Sequence, residues 1–329
     1  MTEQSKIPVP SDKRRKTLLE RAETMLGGGS YSPAPVPHDL APPVNRTVLK
    51  VSKVSVEMGE ERVETPLVPA APAPVQVEAR RVEFTGAVQP ISRDRLAHHG
   101  LIDPDRQATG LLEEYRIVKR QVLQAARDAH ARGLGAKAQR VLVSSPLPSE
   151  GKTFTACNIA IAMAAEKDVE VVLVDADFAK PSLLSVFGLT RGPGIMDALA
   201  NPDIAVEDCV IPTDIGGLHI LPAGNQTATD SEYLTSARTV EVLARLTQGA
   251  PERIVIFDSP PALAASPAAE LAKHVAQTLV VARADRTGQS ALEDTLSLLS
   301  ACDDLKLVLN AAHFSPSGRR FGSYYGQGG

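Results

Sequence analysis

Ser144-Ser-Pro-Leu-Pro-Ser-Glu-Gly-Lys-Thr153 is the stretch of this sequence that decides the fold. It follows the short apolar run Arg140–Val143, which predicts a buried strand, and it precedes the small-residue segment Cys157–Ala165, which predicts a helix packed on a sheet. In a loop between a strand and a helix, backbone N–H groups and the helix N-terminus face bound phosphate. The order of the three segments therefore predicts a phosphate-binding loop with a nucleotide as its ligand.

The loop carries the expected chemistry, with two departures from the usual pattern. Lys152 is expected to reach the β and γ phosphates, and the hydroxyl of Thr153 is expected to bind Mg²⁺. The usual sequence G-x-x-x-x-G-K-[ST] places its first glycine at Pro146, and Ser149 stands where many such loops have glycine. The residues predicted to bind nucleotide here are Ser149, Glu150, Gly151, Lys152, Thr153 and Phe154.

Two further apolar segments end in carboxylates. Segment 170–177 ends in Asp175 and Asp177, and segment 253–258 ends in Asp258. Any one of these aspartates could be a simple turn former. Because the carboxyl ends of parallel strands converge on a ligand crevice, all three are expected near the phosphate-binding loop. Mg²⁺ prefers oxygen ligands and retains water, so one hydroxyl and one or two carboxylates would be enough to hold it.

The order of segments after residue 135 predicts the fold class. Strand-like runs alternate with helical patterns, which indicates an α/β fold with a doubly wound, mostly parallel sheet of the P-loop NTPase type. Further buried strands are predicted at Leu218–Leu221, Thr278–Ala282 and Lys306–Asn310. With 329 residues, 43% of them hydrophobic, the chain can form one sizeable core and still have extra segments.

Segments 145–153, 174–181 and 256–261 resemble the Walker A, A′ and B motifs of the bacterial tyrosine kinases. The chain is most similar to the tyrosine autokinases associated with exosortase and exopolysaccharide loci, over about residues 82 to 329. The resemblance implies ATP-dependent transfer of phosphate to protein tyrosines, with ATP and Mg²⁺ as cofactors. It also implies a role in regulating exopolysaccharide polymerisation and export.

The resemblance further implies roles for individual residues. The implied catalytic residues are Lys152, Asp175 and Asp177, and the implied magnesium ligands are Thr153, Asp177 and Asp258. One of the paired aspartates would accept the proton of the tyrosine hydroxyl, and the sequence leaves open which one. Asn310, at the end of the last predicted strand, resembles the adenine-contacting asparagine of this class of ATPases.

Segment 113–119 resembles the E-x-x-R-x-x-R helix with which these kinases bind the neighbouring subunit. Residues three apart share a helix face, so Glu113, Arg116 and Lys119 can form one charged stripe. Lys119 stands where arginine is usual, which puts bidentate pairing there in doubt. Without the resemblance, a solvated amphipathic helix is the plainer interpretation.

The chain ends in the Gly-rich segment 318–329, which contains Tyr324 and Tyr325. Such a segment cannot pack a core, so both rings are expected to be exposed. In the family, a C-terminal tyrosine cluster is phosphorylated by a neighbouring subunit, and these two tyrosines are therefore the implied phosphoacceptors. We expect a kinase domain over 82–314, a flexible tail over 315–329, and a homo-oligomer, with a ring as the implied form.

Residues 1–81 differ in composition from the rest, since about half of the 25 prolines precede residue 91. Proline strings favour extended backbone, so this region is predicted to be mostly disordered. Within it, segment 11–26 has a candidate N-cap, an apolar stripe and a Gly-rich stop at Gly27–Gly29. It predicts a short amphipathic helix that docks on a partner or a membrane surface, or a marginal solvated helix.

No apolar run approaches the ~18 residues of a membrane span, and the first residues lack the hydrophobic region of a signal peptide. Three cysteines without CxxC spacing suit a reducing compartment. We therefore expect a cytoplasmic protein without a nucleic-acid partner. Many kinases of the family are fused to a membrane chain-length regulator. Because no membrane span is predicted in this sequence, the resemblance implies that the chain-length regulator is a separate membrane protein, which holds this chain at the inner membrane.

Two alternatives stay open. Partition-type switch ATPases share the loop and the aspartates, but they typically carry an extra lysine early in the loop, and segment 146–150 has none. A nucleotide-binding scaffold with little catalysis is the second alternative, because the side chain of Ser149 could hinder the backbone cradle. The terminal tyrosines argue against the scaffold.

Overall fold

A seven-stranded sheet organises the part of the chain that the structure describes. The computed structural model describes residues 80–106, 109–226 and 230–312. The strands are β1 Arg140–Ser144, β2 Glu170–Asp175, β3 Ile211–Pro212, β4 Leu218–Leu221, β5 Arg253–Asp258, β6 Gln277–Arg283 and β7 Leu305–Asn310. They lie in the order β3-β4-β2-β5-β1-β6-β7, and all neighbouring strands run parallel except β3, which pairs antiparallel with β4. The predicted mostly parallel sheet is confirmed.

Helices cover both faces of this sheet. They are α1 Arg93–His98, α2 Gly110–Ala131, α3 Lys152–Ala164, α4 Leu183–Phe187, α5 Ile195–Ala200, α6 Val206–Cys209, α7 Asp230–Thr235, α8 Ala237–Thr247, α9 Pro267–Ala272 and α10 Gln289–Leu298, with a 3₁₀ turn at Gly135–Gln139. Successive strand residues point to opposite faces. In β1, Val141 and Val143 therefore join the core under α2 and α3, while Leu142 joins the core under α5, α8 and α9.

Helix α3 lies against the centre of the sheet because it is built from small and apolar residues. Ten of its 13 residues are buried, among them four alanines. Small side chains allow the helix axis to approach the strands closely, and this places its first residue, Lys152, at the carboxyl edge of the sheet. The phosphate-binding loop thus opens where the predicted strand ends meet.

The opposite, amino-terminal edge of the sheet holds the first described residues. The Arg253 guanidinium donates to the carbonyl of Val82 at 2.8 Å and lies 4.1 Å from the ring centre of Phe84. Val82 in turn donates its N–H to the carbonyl of Gln248 at 3.1 Å. The segment that leads into the domain is therefore anchored on the side of the sheet away from the loop.

Several sequence predictions fall outside the described residues. These are the disorder predicted for residues 1–81, of which only 80 and 81 are described, the amphipathic helix at 11–26, and the tail with Tyr324 and Tyr325. Within residues 80–106, 109–226 and 230–312, no helix is both long enough and apolar enough to span a membrane.

Candidate nucleotide and phosphotransfer site

The phosphate-binding loop uses left-handed backbone at two positions. Ser149 has φ 65° and Gly151 has φ 98°. Left-handed residues within a turn bring successive N–H groups onto one side and form a concavity that suits an anion. Gly151 is required for space as well, because a Cβ there would lie 2.0 Å from the side-chain nitrogen of Asn310. Ser149 adopts its conformation without the freedom of glycine, which costs on the order of 1 kcal/mol.

Lys152 stands between two of the predicted carboxylates. Its Nζ lies 2.8 Å from Oδ2 of Asp177 and 4.0 Å from Oδ1 of Asp258. The hydroxyl of Thr153 lies 3.5 Å from the same nitrogen. The structure therefore gathers the lysine, the hydroxyl and two carboxylates at the mouth of the loop.

Asp258 is a buried carboxylate without a hydrogen-bond partner. Its exposed fraction is 0%, and neither oxygen has a partner among the described residues. Burial raises the pKa of Asp258 to about 7, although the nearby Lys152 charge opposes the shift. A buried carboxylate left unpaired is costly. The donor set of Asp258, Asp177 and the Thr153 hydroxyl fits a hard divalent cation such as Mg²⁺.

These carboxylates do not form a ready-made metal cage. Among the described residues, no group of three or more carboxylate, imidazole or thiol side chains is placed to hold a metal ion. Mg²⁺ commonly binds through one or two carboxylates and takes its other ligands from water and from nucleotide phosphates. The arrangement therefore fits a cation that arrives together with a nucleotide.

Asp175 is held by the start of helix α4. Its Oδ2 accepts the backbone N–H groups of Ser182 and Leu183 at 2.8 and 2.9 Å, while its Oδ1 is buried without a partner in the described part of the chain. Burial raises the pKa of Asp175 to about 6, and the two N–H donors oppose the shift. One oxygen is thus fixed, and the other is available for a further contact.

A cavity of about 420 Å³ opens beside Asp175. Its walls include the apolar side chains of Phe178, Pro181 and Leu184, and Arg191 also lines it. The volume and the mixed lining suit one aromatic side chain with a polar end. Asp175 thus lies in the wall of a cavity in which a phenol ring could lie.

Glu150 and Asn310 contact each other, although they were predicted only as separate nucleotide-binding residues. Glu150 has an exposed fraction of 0%, and its carbonyl accepts the side-chain amide of Asn310 at 2.9 Å. Its carboxylate accepts the hydroxyl of Thr287, a residue that the sequence analysis missed. No sequence pattern marked Thr287, because it lies in the turn after β6 and meets the loop only in the folded chain.

The helix with the predicted charged stripe is α2. Glu113 and Arg116 form an ion pair on its surface. Lys119 does not extend that pair, because it is buried, donates to the carbonyl of Ala162 at 2.8 Å, and lies 2.7 Å from Glu166. A cation at the C-terminal end of α3 complements the helix dipole, which explains this placement. The expected stripe of three residues is therefore a surface pair and a buried lysine.

The remaining predicted loop residue, Phe154, packs against α2. Its ring meets that of Tyr115 edge to face, with 6.3 Å between the ring centres. Burial raises the pKa of Tyr115 to about 12, and its hydroxyl lies 3.4 Å from that of Thr155. Helix α2 is thus packed directly behind the first turn of α3.

A parallel sheet, a left-handed loop that enters α3, and aspartates at adjacent strand ends define a P-loop nucleotide-binding protein. No family model matches the chain. It is 33% identical over 189 residues to a putative tyrosine-protein kinase EpsB of Ralstonia nicotianae, across 57% of this chain and 25% of that protein. It is 27% identical to the tyrosine-protein kinase YwqD of Bacillus subtilis, across 65% of this chain and 86% of that protein.

Solved structures of bacterial tyrosine kinase domains are also similar to this chain. The BceF tyrosine kinase domain is 26% identical with a TM-score of 0.52, and the match covers 67% of this chain and 82% of that domain. The kinase domain of the Escherichia coli tyrosine kinase ETK has the same TM-score at 20% identity, over 68% of this chain and 97% of that one, and shows the shared fold. The resemblance to bacterial tyrosine kinases that the motifs indicated is confirmed. The chain spans about a quarter of the length of the EpsB relative.

Proposed function

We propose that this chain is an ATP-dependent protein-tyrosine kinase that phosphorylates Tyr324 and Tyr325 of neighbouring copies. The observation that carries the proposal is the position of Lys152 between Asp177 and the unpartnered Asp258, at the mouth of the loop. Phosphoryl transfer depends on positioning and on neutralising charge more than on covalent chemistry. This arrangement supplies both.

The roles within the site follow from the contacts. The loop N–H groups hold the phosphates, and Lys152 exchanges its contact with Asp177 for the β and γ oxygens. Thr153, Asp177 and Asp258 would hold Mg²⁺ directly or through water, and the cation would neutralise charge that develops on the transferred phosphoryl group. Lys152 and Asp177 thus have partners before and after nucleotide binding.

Geometry favours Asp175 as the acceptor of the tyrosine proton. It lines the cavity beside Phe178, and one of its oxygens is free while α4 fixes the other. Asp177, by contrast, is paired with Lys152 in the structure and is assigned to Mg²⁺ once nucleotide binds. We assign the cavity to the incoming tyrosine ring, with its hydroxyl directed to the carboxylate of Asp175.

Assembly and cellular setting are part of the same proposal. The Glu113–Arg116 pair is partly exposed on α2 and would contact a neighbouring copy in a ring, while Lys119 would support the helix from inside. A separate membrane chain-length protein would hold the kinase at the cytoplasmic side of the inner membrane. The kinase would there regulate exopolysaccharide polymerisation and export. Similarity to the bacterial tyrosine kinases supports these assignments.

Phosphotyrosine mapping tests the activity. Purified protein is incubated with ATP and Mg²⁺, with and without the cytosolic segment of a candidate membrane partner, and analysed by intact and peptide mass spectrometry. The expected result is phosphate on the tail that is absent from Lys152→Met and from the double variant Tyr324→Phe, Tyr325→Phe. ATP turnover without phosphotyrosine would instead indicate a partition-type switch ATPase, and nucleotide binding without turnover would indicate a scaffold.

A further inference from the structure

The phosphate-binding loop is hydrogen-bonded to the ends of β6 and β7 mainly through Glu150, and the Arg283 guanidinium also donates to the carbonyl of Ser149 at 3.5 Å. Its carboxylate Oε2 accepts the N–H of Leu147 at 2.7 Å, and its Oε1 accepts the hydroxyl of Thr287. The Thr287 oxygen itself accepts the N–H of Arg283, the last residue of β6, at 2.8 Å. A continuous chain of hydrogen bonds therefore runs from the end of β6 into the loop.

We call the Glu150–Thr287 hydrogen bond the first tie of the loop. The second tie, the hydrogen bond from Asn310 to Glu150, comes from β7. The side-chain amide of Asn310 donates to the Glu150 carbonyl at 2.9 Å, and its oxygen accepts the N–H of Ala311 at 2.8 Å. Partners on both sides fix the orientation of the amide group. Asn310 also lies so close to Gly151 that a Cβ at that position would displace the Asn310 side chain. The amide nitrogen of Asn310 is thus directed at the loop backbone, while its oxygen is held by Ala311.

The loop needs such support because its conformation is strained. Ser149 occupies left-handed backbone with φ 65°, and a non-glycine residue keeps that conformation only when its surroundings enforce it. A fully buried carboxylate such as Glu150 must also keep its hydrogen bonds, since an unsatisfied one is expensive. Loss of a tie would therefore release the loop and shift it toward other shapes.

We propose that Thr287 and Asn310 are positioning residues, which hold the loop through Glu150 in the shape that binds phosphate. The inference rests on the proposed nucleotide-dependent function, and it assigns Asn310 to the loop rather than to recognition of adenine. Both residues act on the phosphate end of the nucleotide, so their effect is independent of the base. The adenine contact that the resemblance implied for Asn310 makes the opposite prediction.

Two variants of Thr287 test the first tie. Thr287→Val keeps the shape but removes the hydroxyl, and Thr287→Ser restores it. Thr235→Val is a matched control, since among the described residues the Thr235 hydroxyl donates to the Glu232 carbonyl within α7 and makes no contact with the loop. Affinity for MgATP, measured by titration calorimetry, is expected to fall about tenfold in Thr287→Val and to return to within about twofold in Thr287→Ser. Equal affinity of Thr287→Val and the wild type would overturn the proposal.

Asn310→Ala tests the second tie through base selectivity. MgATP and MgGTP are expected to lose affinity by the same factor, so that their ratio stays that of the wild type. A change in this ratio, with MgGTP affinity retained, would show that Asn310 contacts the base and would contradict the proposal.

Hydrogen exchange without nucleotide separates this proposal from the kinase assignment. Amides of the peptide that covers residues 145–152 are expected to exchange several times faster in Thr287→Val and Asn310→Ala than in the wild type, with Thr287→Ser and Thr235→Val unchanged. Unchanged exchange would overturn the loop support even if the kinase activity holds. Faster exchange in a protein that binds no nucleotide would instead reject the proposed function and leave the support intact.

Discussion

Strands β2 and β5 pair along their whole length, and the charged residues at their two ends are arranged in opposite ways. At the amino-terminal end, Glu170 lies opposite Arg253 in the register, and at the carboxyl-terminal end Asp175 lies opposite Asp258. The first pair joins unlike charges through two hydrogen bonds of 2.9 and 3.2 Å. The second pair places two buried carboxylates side by side, and three of their four oxygens have no partner in the described chain.

The pKa values of the carboxylates at the two ends differ in the same way. Burial alone would raise the pKa of Glu170, but hydrogen bonds from His219 and Arg253 lower it to about 2. Burial raises the pKa of Asp175 to about 6 and that of Asp258 to about 7. Unlike charges that satisfy each other anchor the fold, whereas like charges kept together are poised for a cation from outside. We therefore call the amino-terminal end, with Glu170 and Arg253, the structural end of this strand pair, and the carboxyl-terminal end, with Asp175 and Asp258, its functional end.

The largest expected effect comes from Lys152→Met at the functional end. The change removes the cation that lies 2.8 Å from Asp177 and that is proposed to contact the transferred phosphate. Phosphate transfer to tyrosine should fall at least about a thousandfold, because charge stabilisation in the transition state is lost. Radiolabel transfer from ATP, normalised to the folded fraction from circular dichroism, measures it. Transfer within tenfold of the wild type would remove the lysine from the site.

Arg253→Met breaks the structural end. It leaves Glu170 partly buried and without its bidentate partner, and it removes the bond that anchors the Val82 carbonyl. The free energy of unfolding should drop by about 3 kcal/mol, as for other broken buried pairs. Urea titration measures it. Arg81→Met is the matched control, since the more exposed Arg81 also pairs with Glu170 but should contribute under about 1 kcal/mol.

The structural end should also show a defined pH dependence. Because the folded-state pKa of Glu170 is depressed, its contribution is present above the unfolded pKa of about 4.5 and is lost as the pH falls through about 2. The stability difference between the wild type and Glu170→Gln should therefore shrink by roughly 2 kcal/mol between pH 5 and pH 2, after allowance for partial solvation. A difference that stays constant across this window would refute the assigned pairing.

Ser149→Gly is expected to have the smallest effect. Glycine adopts left-handed backbone without strain, so the substitution should change the free energy of unfolding by at most about 1 kcal/mol, in the stabilising direction. MgATP affinity should stay the same or rise. A loss of affinity would show that the serine side chain, and not only the backbone, takes part in binding.

The sheet and the position of the loop could be predicted because short-range patterns encode them. The apolar runs of β1, β2 and β5 end in turns and carboxylates, and a parallel sheet brings such ends together. The two-residue strand β3 is too short to give a periodic pattern, so it was not predicted. The strands that local patterns encode were therefore predicted, and β3, which such patterns do not encode, was not.

The supporting contacts could not be predicted, because they join residues far apart in the chain. Thr287 and Glu150 are 137 positions apart, and Arg253 and Glu170 are 83 apart. Lys119 was also misplaced by a prediction from local spacing. Helical spacing put it on a charged surface stripe, but the packing of α2 on α3 buries it against the Ala162 carbonyl. Spacing defines a helix face, and only the tertiary contacts decide what that face meets.

Thermal unfolding of Asp258→Asn, with and without MgATP, tests the central claim most directly. If the functional end holds a buried carboxylate without hydrogen-bond partners for an incoming cation and nucleotide, the variant without ligand should melt above the wild type, because a neutral amide replaces that carboxylate. MgATP should then raise the melting temperature of the wild type and leave that of the variant nearly unchanged, which reverses their order. A variant that melts below the wild type without ligand, or that gains the same increase from MgATP, would contradict the account.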